Sequence, residues 1–268
     1  MGAGDTLFRG DIAAIYERLL VPLLFEPYAA DLAARVARFG PRQVLETAAG
    51  TGAVTARLAA VLGADASITA TDLNEPMLEV ARAQHADPRI SWRQADAQAL
   101  PFSDAGFDGV VCQFGAMFFP DKLRAYREAR RVLAPDGHFH FNVWNDIADN
   151  EFAQEVTAAL ASLFPSAPPR FLARTPHGYH DAAAIRTTLA AAGFAKSTVD
   201  VVEHISRAAS ARDVAVAYCQ GTPVRNEIEQ QDGARLEEAT QAAEHALRAR
   251  FGSGTIEGRI SALVFCCA

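Results

Sequence analysis

Glu46, Gly50, Gly52 and Asp72 are the residues whose types and spacing could do chemistry. Glu46 closes a short apolar run, Val44-Leu45, and is followed by a loop of small residues, Thr47-Ala48-Ala49-Gly50-Thr51-Gly52. A helix-like run, Val54 to Leu62, begins at once. Small residues between a strand and a helix let a ligand approach the backbone closely, and the helix N-terminus favours negative charge. Asp72 closes the next apolar run, Ile68-Thr69-Ala70-Thr71, 20 residues beyond Gly52. That is the distance at which a β-α-β unit sets a carboxylate on a ribose. Loop and acid together point to a nucleoside cofactor. A nicotinamide fingerprint requires G-x-G-x-x-G. Registered on Gly50 and Gly52 its third glycine would be Thr55, and registered on Ala48 and Gly50 it would be Ala53, so both fits are poor.

The elements that must position these residues alternate along the chain. Strands are expected near 42–47, 67–72, 89–94, 107–113 and 137–144, and helices near 53–62, 75–84, 121–133 and 149–163. Such alternation calls for a mostly parallel sheet covered by helices on both faces. Ala134-Pro135-Asp136-Gly137 reads as a turn before a strand. Ahead of the sheet, Ile12, Ile15, Tyr16 and Leu19, then Tyr28, Leu32 and Val36, keep helical spacing, with Pro22 and Pro27 breaking the run into pieces. Residues 1–40 are therefore expected to form an N-terminal helical cap and residues 41–268 the α/β domain. Residues 164–180 hold Pro165, Pro168, Pro169 and Pro176 and read as an irregular, lid-like connection. Asp181 caps a helix that ends at Gly193, a strand runs from Lys196 to Ile205, and helices near 210–220 and 224–250 fill an insertion, 206–255, before a last strand, Ile256 to Cys266.

Bulk properties fit a soluble protein with a sizeable core. The chain has 268 residues, half of them apolar, enough for one α/β domain with additions. Its formal charge of −7 argues against nucleic acid as partner. The four cysteines (Cys112, Cys219, Cys266, Cys267) show no C-x-x-C spacing and read as reduced thiols of a cytoplasmic protein. No apolar run reaches membrane length.

Over roughly residues 42–145 the chain resembles the class I S-adenosylmethionine-dependent methyltransferases, and within them the small-molecule group that includes the menaquinone/ubiquinone-biosynthesis enzymes. Four motifs carry the resemblance, in order: Glu46-x-Ala48-x-Gly50-x-Gly52, Asp72 within Ala70-Thr71-Asp72-Leu73-Asn74-Glu75-Pro76-Met77-Leu78, Ala95-Asp96-Ala97 followed by Leu100-Pro101-Phe102 and Phe107-Asp108, and Val132-Leu133-Ala134-Pro135-Asp136-Gly137. The departure is Ala48, where the family usually has its first glycine. Alanine narrows the backbone angles open to the loop. The resemblance implies a Rossmann-like, seven-stranded sheet with an antiparallel edge strand near the C-terminus. It also implies S-adenosyl-L-methionine as cofactor, with S-adenosyl-L-homocysteine as its product.

The same resemblance implies roles. Ala48, Gly50, Thr51 and Gly52 would bring the loop against the methionine half of the cofactor, and Glu46 would orient the loop or the cofactor ammonium, with a buried structural carboxylate as its rival role. Asp72 would accept from both ribose hydroxyls. Leu73 and Met77 would pack on the adenine, and Asp96 and Ala97 would meet its edge. Gln113 and Phe114 would line the methionine, and Tyr16 would close over the cofactor. His177, Tyr179 and His180, in the lid-like connection, are candidate catalytic residues, since a histidine there could deprotonate a phenol or carboxylic acid. Gln113 to Phe119 lacks the Asn/Asp-Pro-Pro-aromatic motif of DNA amino-methylating enzymes. The expected activity is methyl transfer (EC 2.1.1) to an O, N or C atom of a small apolar or aromatic acceptor. A nicotinamide-dependent oxidoreductase and a non-catalytic cofactor-binding regulator remain the alternatives. No metal site is expected, and the helices at 210–250 leave a homodimer open.

Overall fold

The structure is a computed structural model and describes residues 11–268, so the first ten residues of the expected cap lie outside it. Seven strands form one sheet: β1 (Gln43–Thr47), β2 (Ser67–Asp72), β3 (Ile90–Gln94), β4 (Phe107–Gln113), β5 (Leu133–Trp144), β6 (Ser197–Ala208) and β7 (Ile256–Cys267), in the order β3-β2-β1-β4-β5-β7-β6. The pairs β1–β2, β1–β4, β2–β3 and β4–β5 are parallel. Lys196 and Ala268 exchange both backbone hydrogen bonds, at 3.1 and 3.0 Å, so β6 starts where β7 ends and these two run antiparallel. The expected mostly parallel, doubly covered sheet is the one observed.

The helices are α1 (Asp11–Ile15), α2 (Glu26–Ala37), α3 (Ala53–Val61), α4 (Glu75–Gln84), α5 (Lys122–Val132), α6 (Glu151–Leu163), α7 (Phe171–Arg174), α8 (Ala182–Ala191), α9 (Ala211–Gln220), α10 (Val224–Asp232) and α11 (Leu236–Phe251). Local chemistry sets several of their starts. The Asp121 side chain accepts from the Arg124 N–H at α5, the Asp181 side chain accepts from Ala183 and Ala184 N–H at α8, and Ser210 accepts from Asp213 N–H at α9.

Three local expectations are corrected. Pro22 does not break the N-terminal run; it sits inside a π-helical segment, Tyr16–Phe25, whose wider turn tolerates the missing N–H. Pro27 falls in the first turn of α2, where its lack of a donor costs nothing. Ala134–Gly137 is not a turn ahead of β5 but an excursion within it: Phe107 pairs with Leu133 and Gly109 with His138, so the residues between bulge out of register. The single helix expected over 224–250 is two, α10 and α11, separated by a tighter turn at Gly233–Arg235.

The chain divides into two compact units. One, Glu26–Val143 with His180–Val202 and Leu263–Ala268, has an aliphatic layer of α2 and α3 residues (Leu32, Val36, Val54, Leu58) on Val44, Ile68, Val111 and Val264. It also has an aromatic layer in which Phe141 stacks on Phe265 at 4.8 Å and on Phe139 at 4.8 Å, with Tyr126 and Phe194 completing it. The other unit, residues 11–25 of the described chain with Trp144–Tyr179 and Glu203–Ala262, is mostly helical, α11 packing on α6 and α9. In that unit the 164–180 connection is anchored. Phe164, Phe171, Leu172 and His177 are buried, and the Glu227 carboxylate accepts from Arg170 N–H, Phe171 N–H and the Arg174 guanidinium. A Cβ on Gly178 would lie 2.1 Å from the Arg174 carbonyl oxygen, a backbone atom that cannot step aside. Gly178→Ala is therefore expected to cost about 2–3 kcal/mol in urea unfolding. A loss below about 0.5 kcal/mol would show that this turn yields easily.

Candidate functional site

The parallel register brings the C-terminal ends of five strands to one edge. Thr47 lies opposite Thr71, Asp72 opposite Gln94, and Gln113 opposite Asn142. The order β2-β1-β4 places the reversal of winding between β1 and β4, which is where open α/β sheets bind ligands. The loop after β1 sits at that point.

The loop is held by β2. The Asp72 carboxylate accepts from Gly50 N–H at 2.9 Å through one oxygen and from Asn74 N–H at 2.8 Å and the Asn74 amide at 3.3 Å through the other. Ala49 N–H donates to the Thr71 carbonyl at 2.9 Å. Asp72 thus belongs to the loop's own architecture, and the N-cap of α4 is Asn74. Burial raises the Asp72 carboxyl above its ordinary range, against the hydrogen bonds that lower it. Leu73, next in sequence, is 52% exposed, while Met77, in the first turn of α4, is buried.

Glu46 is 1% exposed and accepts a hydrogen bond from Thr55 Oγ1 at 2.6 Å, tying β1 to the first turn of α3. Burial, joined by the Asp72 charge, pushes its carboxyl up to about 8. Glu46 thus has a structural role, holding the end of β1 to the start of α3. Ala48, Gly50 and Gly52 all have positive φ, at 53°, 57° and 91°. For Ala48 this is the left-handed region, at a cost of about 1 kcal/mol relative to glycine. Gly52 opens α3, and a Cβ there would lie 2.8 Å from both His85 and Trp92. Thr51 is buried, and its Oγ1 has no hydrogen-bond partner among the described residues.

The loop after β3 is built as firmly. Asp96 accepts from Gln98 N–H at 2.8 Å, and Gln98 in turn accepts from Asp121 N–H. Arg131 reaches back from α5 to the carbonyls of Leu100 and Phe102, and Glu128 accepts from Leu100 N–H. Ala97 lies in the same turn, half-buried. Beyond β4, Phe114 also has positive φ, 51°, and its N–H donates to Asn142 Oδ1 at 2.9 Å. Its ring is buried edge-on against Tyr28, 5.3 Å between centroids. Phe114 is thus a core residue, while Gln113 is half-buried at the strand end.

Glu46, Ala48, Gly50, Thr51, Gly52, Asp72, Leu73, Met77, Asp96, Ala97, Gln113 and Phe114 all fall in the unit that holds β1 to β4. His180 belongs to the same unit, whereas Tyr16, His177 and Tyr179 belong to the other. There Tyr16 stacks on Phe25 at 5.1 Å, Phe25 meets Trp144 at 6.1 Å, and Trp144 meets His177 at 5.9 Å. His177 Nδ1 lies 2.9 Å from the Asn145 carbonyl. A carbonyl only accepts, so Nδ1 carries the proton. Among the described residues no group of three or more His, Cys, Asp or Glu is placed to hold a metal. Sequence reasoning missed Thr55, Asn74, Asn142 and the Arg131–Glu128 pair as positioning groups. Only Asn74, directly ahead of Glu75-Pro76, carried a local signal, that of a helix cap.

The residues fit a nucleoside cofactor. An unpartnered buried hydroxyl (Thr51), a carboxylate at the end of β2 and an exposed leucine beside it are what a ribose and a base would use. Residues 44–137 match the model of a family described as a methyltransferase domain. The chain is 34% identical over 126 residues to the ubiquinone/menaquinone biosynthesis C-methyltransferase of Idiomarina loihiensis, covering 46% of this chain and 47% of that protein. It is 41% identical over 98 residues to the enzyme of the same name from Hahella chejuensis, covering 35% and 39%. The chain thus spans less than half the length of these curated relatives. Among solved structures it resembles phosphoethanolamine N-methyltransferase 2 of Haemonchus contortus in complex with S-adenosyl-L-methionine (TM-score 0.59, 16% identity, 98% of this chain and 58% of that one). It also resembles the YcgJ protein of Bacillus subtilis (TM-score 0.57, 18% identity, 90% and 97%). These likenesses are of fold.

Proposed function

We propose that this chain, whose residues 44–137 match a methyltransferase domain, is a class I enzyme that transfers a methyl group from S-adenosyl-L-methionine to an O, N or C atom of a small apolar or aromatic molecule. The observation that supports this most is the joining of the glycine loop to the β2 carboxylate, with an exposed leucine beside them. In this reading Asp72 uses its remaining lone pairs on the ribose hydroxyls while it holds Gly50 and Asn74. Leu73 covers one face of the adenine, supported by Met77, and Asp96 and Ala97 meet its edge. Thr51 and the loop backbone hold the methionine half with Gln113, and Glu46 faces the ammonium from below.

Bound cofactor supplies a methyl group already activated by its sulfonium charge. The protein's task is then to align the acceptor and exclude water. A base is needed only where the acceptor atom is protonated. His177, held through Nδ1 by the Asn145 carbonyl, is the candidate for it, with Tyr179 and His180 in the same stretch. The curated relatives are named for C-methylation in quinone biosynthesis, which supports an aromatic acceptor. A net charge of −7 supports an enzyme that works apart from nucleic acid, and four free cysteines support a cytoplasmic setting. Among the described residues no helix is long and apolar enough to cross a membrane.

Calorimetric titration with S-adenosyl-L-homocysteine is the test. Micromolar or tighter binding is expected. Absence of heat, accompanied by enhanced NADH fluorescence on mixing, would sink the reading in favour of a nicotinamide nucleotide.

A further inference from the structure

The loop departs from a run of glycines at Ala48, and the compensation lies on another strand. A Cβ built on Gly115 would sit 2.4 Å from the Ala48 Cβ and 2.8 Å from Cys112 Sγ. Real carbon atoms do not approach so closely. Gly115 itself has an ordinary φ of −97°, so no backbone conformation demands glycine there. What demands it is space, and the group that fills the space is the Ala48 methyl. Ala48 takes φ of 53°, a strained angle for alanine, so its methyl has little freedom to go elsewhere. The turn that carries Gly115 is itself fixed, since Phe114 holds a positive φ and its N–H is bound by Asn142.

We infer that Gly115 is a positioning residue for the β1 loop: its missing side chain receives the Ala48 methyl and so sets where the loop backbone runs against the methionine half of the cofactor. This rests on the reading of that loop as the cofactor cradle. A side chain on Gly115 would push Ala48, and with it the loop, away from β4. The nucleoside half, held at Asp72 and Leu73 on β2, would feel this less.

A double-mutant cycle tests it with Ala48→Gly, Gly115→Ala and the double variant. Affinity for S-adenosyl-L-homocysteine and for 5′-methylthioadenosine, which lacks the amino-acid half, would be read by calorimetry, and urea stability alongside. The Cys112 contact is common to both backgrounds and cancels in the cycle. Gly115→Ala is expected to weaken S-adenosyl-L-homocysteine binding by about tenfold or more in the wild type, to weaken methylthioadenosine binding much less, and to cost several-fold less in the Ala48→Gly background. Equal losses in both backgrounds, or equal losses for both ligands, would overturn the inference. Where Gly115→Ala fails to fold, the cycle is repeated on Cys112→Ala, which removes the other close contact. Failure there with glycine at 48 would overturn it as well. If the wild type binds neither ligand, the cofactor reading has failed, and the stability cycle still decides whether residues 48 and 115 are coupled.

Discussion

Asp72→Asn is expected to weaken S-adenosyl-L-homocysteine binding by about 10- to 100-fold. The Asp72 side chain is 7% exposed and has two tasks. Its oxygens accept from Gly50 N–H and Asn74 N–H, and in the proposed complex they also accept from ribose hydroxyls. Asparagine offers one oxygen and one NH2. Whichever way it turns, an NH2 faces either the Gly50 or the Asn74 N–H, and the ribose loses an acceptor. The bond to Gly50 or Asn74 is made with or without ligand, so its loss falls on stability; the charge-assisted ribose bond lost is worth about 1.5–3 kcal/mol, roughly 10- to 100-fold in affinity. Because the carboxylate also holds the loop, the variant should be less stable without ligand. Leu73→Ala separates the two effects. That side chain is half exposed, so truncation should leave urea stability within about 0.5 kcal/mol while weakening binding several-fold. Asp72→Asn with unchanged affinity would remove this carboxylate from the cofactor site, and Leu73→Ala with unchanged affinity would remove the leucine from the adenine.

The second large effect concerns Glu46 and pH. Burial, with the nearby Asp72 charge, raises the folded-state carboxyl from 4.5 to about 8, while the Thr55 hydrogen bond opposes the rise. Between these values the folded protein keeps a proton that the unfolded chain releases. The folded state binds more protons in that window, so stability falls as pH rises through it. The stability associated with neutral Glu46 is thus fully present at about pH 4.5 and is lost on the way to about pH 8, a change of the order of a few kcal/mol. Glu46→Gln keeps the size, keeps an acceptor for Thr55 Oγ1, and cannot ionise. Its stability should exceed that of the wild type at the alkaline end and fall less with pH. Some slope should remain, because Asp72 is shifted in the same direction. Urea unfolding from about pH 5 to pH 8.5 measures it. Parallel curves for the two proteins would show that Glu46 is already ionised in the folded state.

A cationic ligand above the loop would favour the ionised form of Glu46. Near neutral pH, binding should therefore release up to about one proton in the wild type and close to none in Glu46→Gln. Titrations in buffers of different ionisation heat read that number directly. Proton release of equal size in both proteins would place its source elsewhere.

Much of the architecture was legible because its signals are local. The run Ile68 to Thr71 ending in Asp72, the capping residue Asp181, and the alternation of apolar strand and amphipathic helix each depend on neighbours in sequence. The misreadings share a cause. Pro22 reads as a helix breaker and Ala134-Pro135-Asp136-Gly137 as a strand boundary because short windows carry only propensity, and packing overrode it. Gly233 divides a stretch whose periodicity looks continuous.

The chemistry divides in the same way. By itself the sequence determined the loop from Ala48 to Gly52, an acid at the end of β1 and another at the end of β2. Strand, loop and helix follow one another in the chain there, and their spacing is a property of the β-α-β unit. Tertiary structure alone decided that Asp72 holds Gly50, that Glu46 is closed off by Thr55, that Phe114 turns into the core on Tyr28, and that Gly115 makes room for Ala48. Each of these joins residues on different elements, and contact between them follows from the strand order and the register of the sheet. Neither is encoded in the residue types at the positions that meet.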